Sequence, residues 1–277
     1  MPLKAITFDL WQTLIWDSKE LEEYRRLRRL INFQRFASKI RPDHLHKDAM
    51  ITLNSKLDKG QVRQAMEEMA SQLQIMHQNG LDVSPVNRGK MLFDIIGLKF
   101  KPDVSKEIYE KAGRILSESG YTTGFPNINP EAKPTMNLFK KSFPGIKIAL
   151  VSNAARSAKT YERILKALGI GHYFDHLIIS CEVGYLKPRR EIFEEALSLL
   201  SVNPRETLHI GDLFQADVIG ATSCGMNACL YTGLWDKYAQ YKNPIKGIPD
   251  DFKSPKKIIV EEIKKLQDAV AVAKRIG

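Results

Sequence analysis

The sequence predicts an α/β protein, a Rossmann-like parallel sheet of about five strands with an all-helical domain inserted after the first strand. Three observations predict it. Five short apolar runs alternate with segments of helical period, which implies βα units and a parallel sheet. The block from Ser18 to Ser119 breaks that alternation and is helical in period throughout. Polar residues, among them Asp9, Ser152 and Asp212, stand where the runs end, and open parallel sheets bind ligands outside the carboxyl ends of their strands.

Taken in order, Lys4–Leu10 (KAITFDL) reads as a buried strand whose end delivers Asp9. The helical block follows, as in LEEYRRLRRLINFQRFASKI and VRQAMEEMASQLQIMHQ. Its exit is turn-rich, with Gly120, Gly124, Pro126, Pro130 and Pro134 close together, and reads as a hinge. Pro134–Phe143 is a helix, and Ile146–Val151 (IKIALV) is the second strand, followed by Ser152, Asn153 and Ala154. Ser157–Leu168 is a helix, His176–Ser180 (HLIIS) the third strand and Arg190–Leu200 a helix. Thr207–Ile210 (TLHI) is the fourth strand, ending at Gly211 and Asp212; Asp217–Cys224 is helical and Met226–Tyr231 (MNACLY) is the fifth strand. The expected organisation is core over residues 1–17, helical insert over 18–124, and core over 125–277 with a C-terminal helix.

The chain has 277 residues, enough for such a core plus insert, and its 43% apolar content suits a sizeable buried core. No apolar run approaches the ~20 residues needed to span a bilayer. The opening MPLKAITFDLWQTLIW is not patterned as a secretory signal, because Asp9 cuts its apolar stretch and no small-residue cleavage site follows. Three irregularly spaced cysteines, Cys181, Cys224 and Cys229, are not a disulfide framework, so a reducing, cytoplasmic location is expected. No CxxC or CxxH pair suggests a zinc site.

The formal charge is +10, which favours anionic partners. Much of it lies between Lys19 and Lys47, including Arg25, Arg29, Arg35 and Arg41, and in the tail from Lys237 to Arg275. Both stretches read as solvated helix faces, and no nucleic-acid module motif is present. The expected partner is a small anionic substrate, bound by a monomer or homodimer.

The strand-end residues resemble the four motifs of the haloacid dehalogenase superfamily. Motif I, an apolar strand and then DxDxT, is matched by FDLWQTL with Asp9 and Thr13; motif II by IALVSN with Ser152. Motif III is matched by GYLKPRREIF with Lys187, and motif IV by GDLFQADVIGA with Asp212 and Asp217. The motifs run in family order and span the core, and the helical insert stands where such enzymes often carry a cap domain. The resemblance implies Asp9 as nucleophile, which splits a displacement into two steps through a covalent intermediate. It implies that Lys187 offsets the charge of Asp9 and a phosphoryl group, that Thr13 and Ser152 hold phosphoryl oxygens and that Asn153 orders the loop. It implies Mg²⁺ as cofactor, held by Asp9, the backbone carbonyl of Trp11 and Asp212, with Asp217 sharing the metal or standing behind it.

Each residue also has an ordinary structural reading. Ser152 could cap a helix beginning near Ala154. Lys187 could be an exposed residue before proline, and Asp212 a turn residue. Asp9 is harder to explain away, since a carboxylate closing so apolar a run is costly unless paired or metal-bound.

The chain departs from the motifs at Trp11, where the phosphatases of the family carry a second carboxylate that protonates the leaving group and then activates water. Indole can do neither, and general acid–base catalysis is worth roughly 10²–10⁴-fold. The haloacid dehalogenases carry an aromatic residue there, usually Tyr. They also carry Tyr six residues after the motif III Lys, where this chain has Phe193, and lack the first acid of motif IV. The retained Asp212 and Asp217 favour a Mg²⁺-dependent phosphatase of small phosphorylated metabolites over a 2-haloacid dehalogenase. The third reading is a catalytically weak module that binds a phosphorylated ligand or a protein. Two cap features are candidates to help the site: His44 and His46 as acids, and Arg35 or Arg41 as anion-binding groups.

Overall fold

The computed structural model describes residues 2–46, 58–121, 124–234 and 247–276. Eight strands occur among them: β1 (Ala5–Phe8), β2 (Ile15–Trp16), β3 (Asn127–Ile128), β4 (Lys147–Ser152), β5 (His176–Ile179), β6 (Thr207–Gly211), β7 (Asn227–Tyr231) and β8 (Val260–Ile263). Six of them form one parallel sheet in the order β5-β4-β1-β6-β7-β8. β1, which ends one residue before the nucleophile candidate Asp9, lies inside the sheet, with Phe8 opposite Leu150 of β4 and Ile210 of β6. Its four residues are all buried, as a strand covered on both faces requires.

The sheet has six strands where the sequence predicts about five. The sixth, β8, lies in the basic C-terminal stretch and reads VEEI, half-buried with one exposed position. An edge strand bonds on one side only and tolerates charge, so its sequence carries no continuous apolar run. Lys47 and residues 237–246 of the two basic stretches lie outside the described residues. The ribbon β2–β3 is antiparallel, pairing Ile15 with Ile128 and Trp16 with Asn127, and so ties together the two ends of the helical insert. Two-residue strands are too short to leave a periodic signal.

Between those ends lie α1 (Lys19–Ala37), α2 (Lys59–Gln78), α3 (Pro85–Ile96) and α4 (Pro102–Glu118). Local sequence sets their starts. The Ser18 hydroxyl accepts from Leu21 N, Asp58 and Gln61 form a capping box, and Ser84 caps α3 with Pro85 at its first position. The insert has its own core, built around Leu30, Phe33, Val62, Leu92, Phe93 and Phe100. α3 and α4 cross closely because a Cβ on Gly89 or Gly113 would strike the other helix's backbone.

The sheet's two faces bury separate clusters, one with Ile6, Phe8, Leu150, Phe139 and Ile164, the other with Ala149, Val151, Phe193, Val218 and Leu230. Helices α5 (Ala132–Ser142), α6 (Ala158–Ala167), α7 (Arg190–Leu200) and α8 (Ala269–Ile276) cover them. The helix expected over Asp217–Cys224 begins earlier, as a wide π-type turn over Phe214–Ile219 that continues to Ser223. Among the described residues no helix is long and apolar enough to cross a membrane.

The helical insert contacts the sheet's loops through the loop after α2. Asp82 N donates to Gly184 O, Leu186 N donates to Gly80 O, and the Asp82 carboxylate accepts from the Ser180 hydroxyl at 2.5 Å. Ser180 in turn accepts from Ala154 N at 2.8 Å, so the cap loop is bonded to the strand-end loop that follows Ser152.

Candidate active site

The register of β1 with its neighbours explains why one crevice forms. Asp9 N donates to Ile210 O at 2.8 Å, which continues the ladder one residue past β1. Ser152 closes β4 and Asp212 follows β6, so both flank Asp9 at the same end of the sheet. Asp9 and Asp212 are 6% and 5% exposed.

Lys187 reaches this crevice from the loop before α7. Its ammonium donates to Asp9 Oδ1 and to Asp217 Oδ1, each at 2.6 Å, with all three side chains buried. The Lys187 backbone is held by Asn153, whose Oδ1 accepts from Lys187 N at 2.7 Å and whose Nδ2 donates to Lys187 O at 3.0 Å. Asn153 thus spends its side chain on the lysine loop.

Asp217 is fully engaged. Besides Lys187 it accepts from Leu213 N at 2.8 Å and contacts His209 Nε2 at 3.0 Å. Burial depresses the His209 pKa against the pull of Asp217, which favours a neutral ring; in that form Nε2–H donates to Asp217 and Nδ1, 2.8 Å from the Thr7 hydroxyl, accepts. Burial favours the neutral form of Asp217, but the Lys187 ammonium and the donors around it hold its pKa well below the carboxylate range. Burial works against the Lys187 charge too, yet Asp217 and Asp9 keep it protonated. Asp9 has less support, and burial pushes it up to about 6 against the pull of Lys187.

Gly211 makes this packing possible, because a Cβ there would overlap the Asp217 carboxyl group. Gly211→Ala is expected to displace Asp217 from Lys187, lowering stability by about 1–3 kcal/mol and slowing turnover as well. A thermal melt and a rate measurement check this, and wild-type values in both would contradict it.

Thr13 and Ser152 are completely buried, and neither hydroxyl makes a hydrogen bond. Ser152 caps no helix, since α6 begins at Ala158. Lys187 is not an exposed pre-proline residue. The loop after Asp9 turns sharply: Gln12 has a φ of 61°, in the left-handed region, and its N–H donates to Ile15 O at 2.8 Å. Trp11 is half-buried and its Nε1 donates to the Tyr161 hydroxyl at 3.3 Å.

Of the cap candidates, Arg41 forks onto Asp43 at the surface and Arg35 is exposed. His44 lies in a short 3-10 turn. The sequence reading missed His209, Asp82 and Arg156. A histidine inside a strand and an arginine in a loop carry no local signal of their partners.

Among the described residues no three His, Cys, Asp or Glu side chains form a metal cluster. A divalent cation held by Asp9 and Asp212 would draw on two carboxylates, a backbone carbonyl and water. That hard, oxygen-only set suits Mg²⁺.

Comparison with known proteins matches residues 3–225 to the family described as a hydrolase, haloacid dehalogenase-like hydrolase. The chain is 30% identical over 168 residues to the glyceraldehyde 3-phosphate phosphatase of Methanothermobacter thermautotrophicus, covering 57% of this chain and 74% of that protein. It is 27% identical over 226 residues to the protein of the same name from Methanopyrus kandleri, covering 81% and 82%. In fold it is similar to a 2-haloacid dehalogenase from Pseudomonas syringae pv. Tomato DC3000, with a TM-score of 0.63 at 18% identity, covering 99% of this chain and 100% of that one.

Proposed function

We propose that this chain, which belongs to the haloacid dehalogenase-like hydrolase family and is a hydrolase, is a phosphatase of small phosphorylated metabolites that works through an aspartyl-phosphate on Asp9. The observation that carries the reading is the pair of buried hydroxyls, Thr13 and Ser152, left without partners beside an Asp9–Lys187 ion pair. A buried polar group without a partner costs about 1–3 kcal/mol, and the oxygens of a bound phosphoryl group would supply those partners. The relatives named as phosphatases support the same reading.

In this mechanism an Asp9 carboxylate oxygen attacks phosphorus as the bond from phosphorus to the substrate's leaving oxygen breaks, forming the phosphoenzyme; water then attacks its phosphorus, breaking the bond to the Asp9 oxygen and releasing phosphate. Lys187 offsets the repulsion between two anions and orients the carboxylate. Thr13 and Ser152 donate to phosphoryl oxygens. Asp217 serves as the positioning residue of Lys187, because both its oxygens are taken, and Asn153 fixes the lysine's backbone rather than the substrate. Asp9, the Trp11 carbonyl and Asp212 would hold Mg²⁺, which when bound supplies charge neutralisation at the phosphoryl oxygens. The buried free thiols Cys181, Cys224 and Cys229 fit a reducing compartment such as the cytoplasm.

Trp11 shapes the expected kinetics. Its indole only donates a hydrogen bond, so it neither protonates a leaving alkoxide nor activates water. Aryl and acyl phosphates, whose leaving groups need no proton, should be hydrolysed at least ~10²-fold faster than alkyl phosphates such as glyceraldehyde 3-phosphate. A panel assay of these substrates with and without Mg²⁺ tests the function. Equal rates across the panel would remove the role given to Trp11. The aromatic residue at position 11 also favours a second reading, halide displacement, because halide leaves without a proton. Chloride release from 2-chloropropionate with no phosphate release from any substrate would establish it instead.

A further inference from the structure

Arginines gather between the helical insert and the core, and two of them, Arg29 and Arg156, form no ion pair with a described residue, while Arg25, Arg26 and Arg88 do. Arg25 of α1 is buried and balanced, since its guanidinium pairs with Asp17, donates to Gly124 O at 2.8 Å and lies over the Tyr121 ring at 3.8 Å. Arg29 projects from the same helix one turn further on. It is half-buried and makes no hydrogen bond or ion pair with any described residue. Arg156 comes from the core, four residues past Ser152, and also lies over the Tyr121 ring, at 4.4 Å. Its one side-chain hydrogen bond to a described residue goes to the Tyr161 hydroxyl at 3.4 Å, and its buried Nε has no partner.

That hydroxyl also accepts from Trp11 Nε1, so the Arg156 guanidinium shares a partner with the residue two positions after the nucleophile. A cavity of about 780 Å³ opens between α1, α2 and Ala155, the residue before Arg156, and its wall carries Arg29, Arg26 and Arg63 together with Glu23 and Glu67, the last 3.8 Å from Arg26. Arg88, also on its wall, is committed to Asp82. Burial and the nearby Arg156 charge depress the Arg29 pKa. Arg29 and Arg156 repel each other, and neither forms an ion pair with a described residue: Glu22 acts on Arg29, and Asp17 on Arg156, only from beyond ion-pair distance. A bound anion would supply the direct partner that both guanidiniums lack.

We propose that Arg29 and Arg156 form a subsite for a second anionic group, so that the substrate is a phosphorylated molecule that also carries a carboxylate or a second phosphate. This rests on the phosphatase reading for the first phosphate at Asp9. Trp11 and Tyr161 then separate the two anion sites, and the fixed distance between them selects for substrate length. The buried Arg25–Asp17 pair and the Tyr121 ring hold α1 against the core, which is what brings Arg29 toward Arg156.

The test compares glycerol 3-phosphate, 3-phosphoglycerate and fructose 1,6-bisphosphate, which present no second anion, a carboxylate and a phosphate. Wild type is expected to favour at least one of the latter two in kcat/KM by about tenfold to a hundredfold, the worth of a charge-assisted contact. Which of the two it prefers identifies the second group. Arg29→Gln and Arg156→Gln should each shrink that preference by about tenfold, while Arg29→Lys, which keeps the charge, should retain part of it. Arg29 has no partner to leave unsatisfied, so its variants carry the test if Arg156→Gln fails to fold. Equal kcat/KM for the three substrates, or equal fractional losses in the variants, would overturn the inference. If wild type hydrolyses none of them, the phosphatase reading fails and calorimetry on Asp9→Asn decides the subsite. Tighter binding of the compounds with a second anion then supports it, and equal binding overturns it.

Discussion

Asp9→Asn should abolish turnover, lowering kcat by on the order of 10⁴-fold or more while leaving the fold intact. The amide has the shape of the carboxylate but not its nucleophilicity. It also removes one of the two anions that flank Lys187, and Asp217 keeps the lysine paired. The variant should therefore melt close to wild type, and since burial disfavours the Asp9 carboxylate, a small gain in stability is consistent with its raised pKa. The pH profile of wild type follows from the same group. Asp9 must be ionised to attack, so kcat/KM should fall on the acid side. The midpoint should lie at or below about pH 6, because a bound cation moves the ionisation down from the value that burial sets. Acid quench with labelled substrate provides the direct check, with label retained on wild type and absent from Asp9→Asn. Label retained on the variant would place the nucleophile elsewhere.

Lys187→Met should damage both stability and catalysis. It removes the cation that is hydrogen-bonded to both carboxylates, leaving Asp9 and Asp217 buried together. Breaking a buried pair by removing one partner costs roughly 3–5 kcal/mol. For a chain of this size that is a fall of roughly 6–20 °C in melting temperature. The sign of the pH effect follows from Asp217, whose pKa is held below its unfolded value. That stabilisation is present in wild type at neutral pH and is lost as pH falls toward and below the ordinary carboxylate range. The gap between variant and wild type should accordingly be widest near neutrality and narrow below about pH 4. Adding Asp217→Asn to Lys187→Met should recover part of the stability and none of the activity. A melting temperature unchanged by Lys187→Met would mean that the triad contributes nothing to the fold.

The candidate site was largely legible because its residues stand at strand ends. An apolar run closed by Asp or Ser is a local pattern, so Asp9, Ser152 and Asp212 declare themselves wherever the sheet forms. The helices of the insert were legible for the same reason, since a 3.6-residue period and caps such as Ser18, Asp58 and Ser84 are written within a turn or two. The edge strand Val260–Ile263 was not, because partial exposure dilutes its apolar signal.

The sequence by itself therefore determined the parallel α/β core, the helical insert and the residue types that meet at the carboxyl end of the sheet. Only the tertiary structure decided how those residues divide their bonds. Lys187 and Asp9 lie 178 positions apart, and nothing local says that the same ammonium also claims Asp217. The same holds for Asn153, committed to the lysine's backbone, and for Arg41, drawn off by Asp43, while Arg29 and Arg156 form no ion pair with a described residue. Periodicity is a property of neighbours in the chain and survives in the sequence. Saturation of donors and acceptors is a property of neighbours in space, set only when the sheet, the cap and the loops between them close on one another.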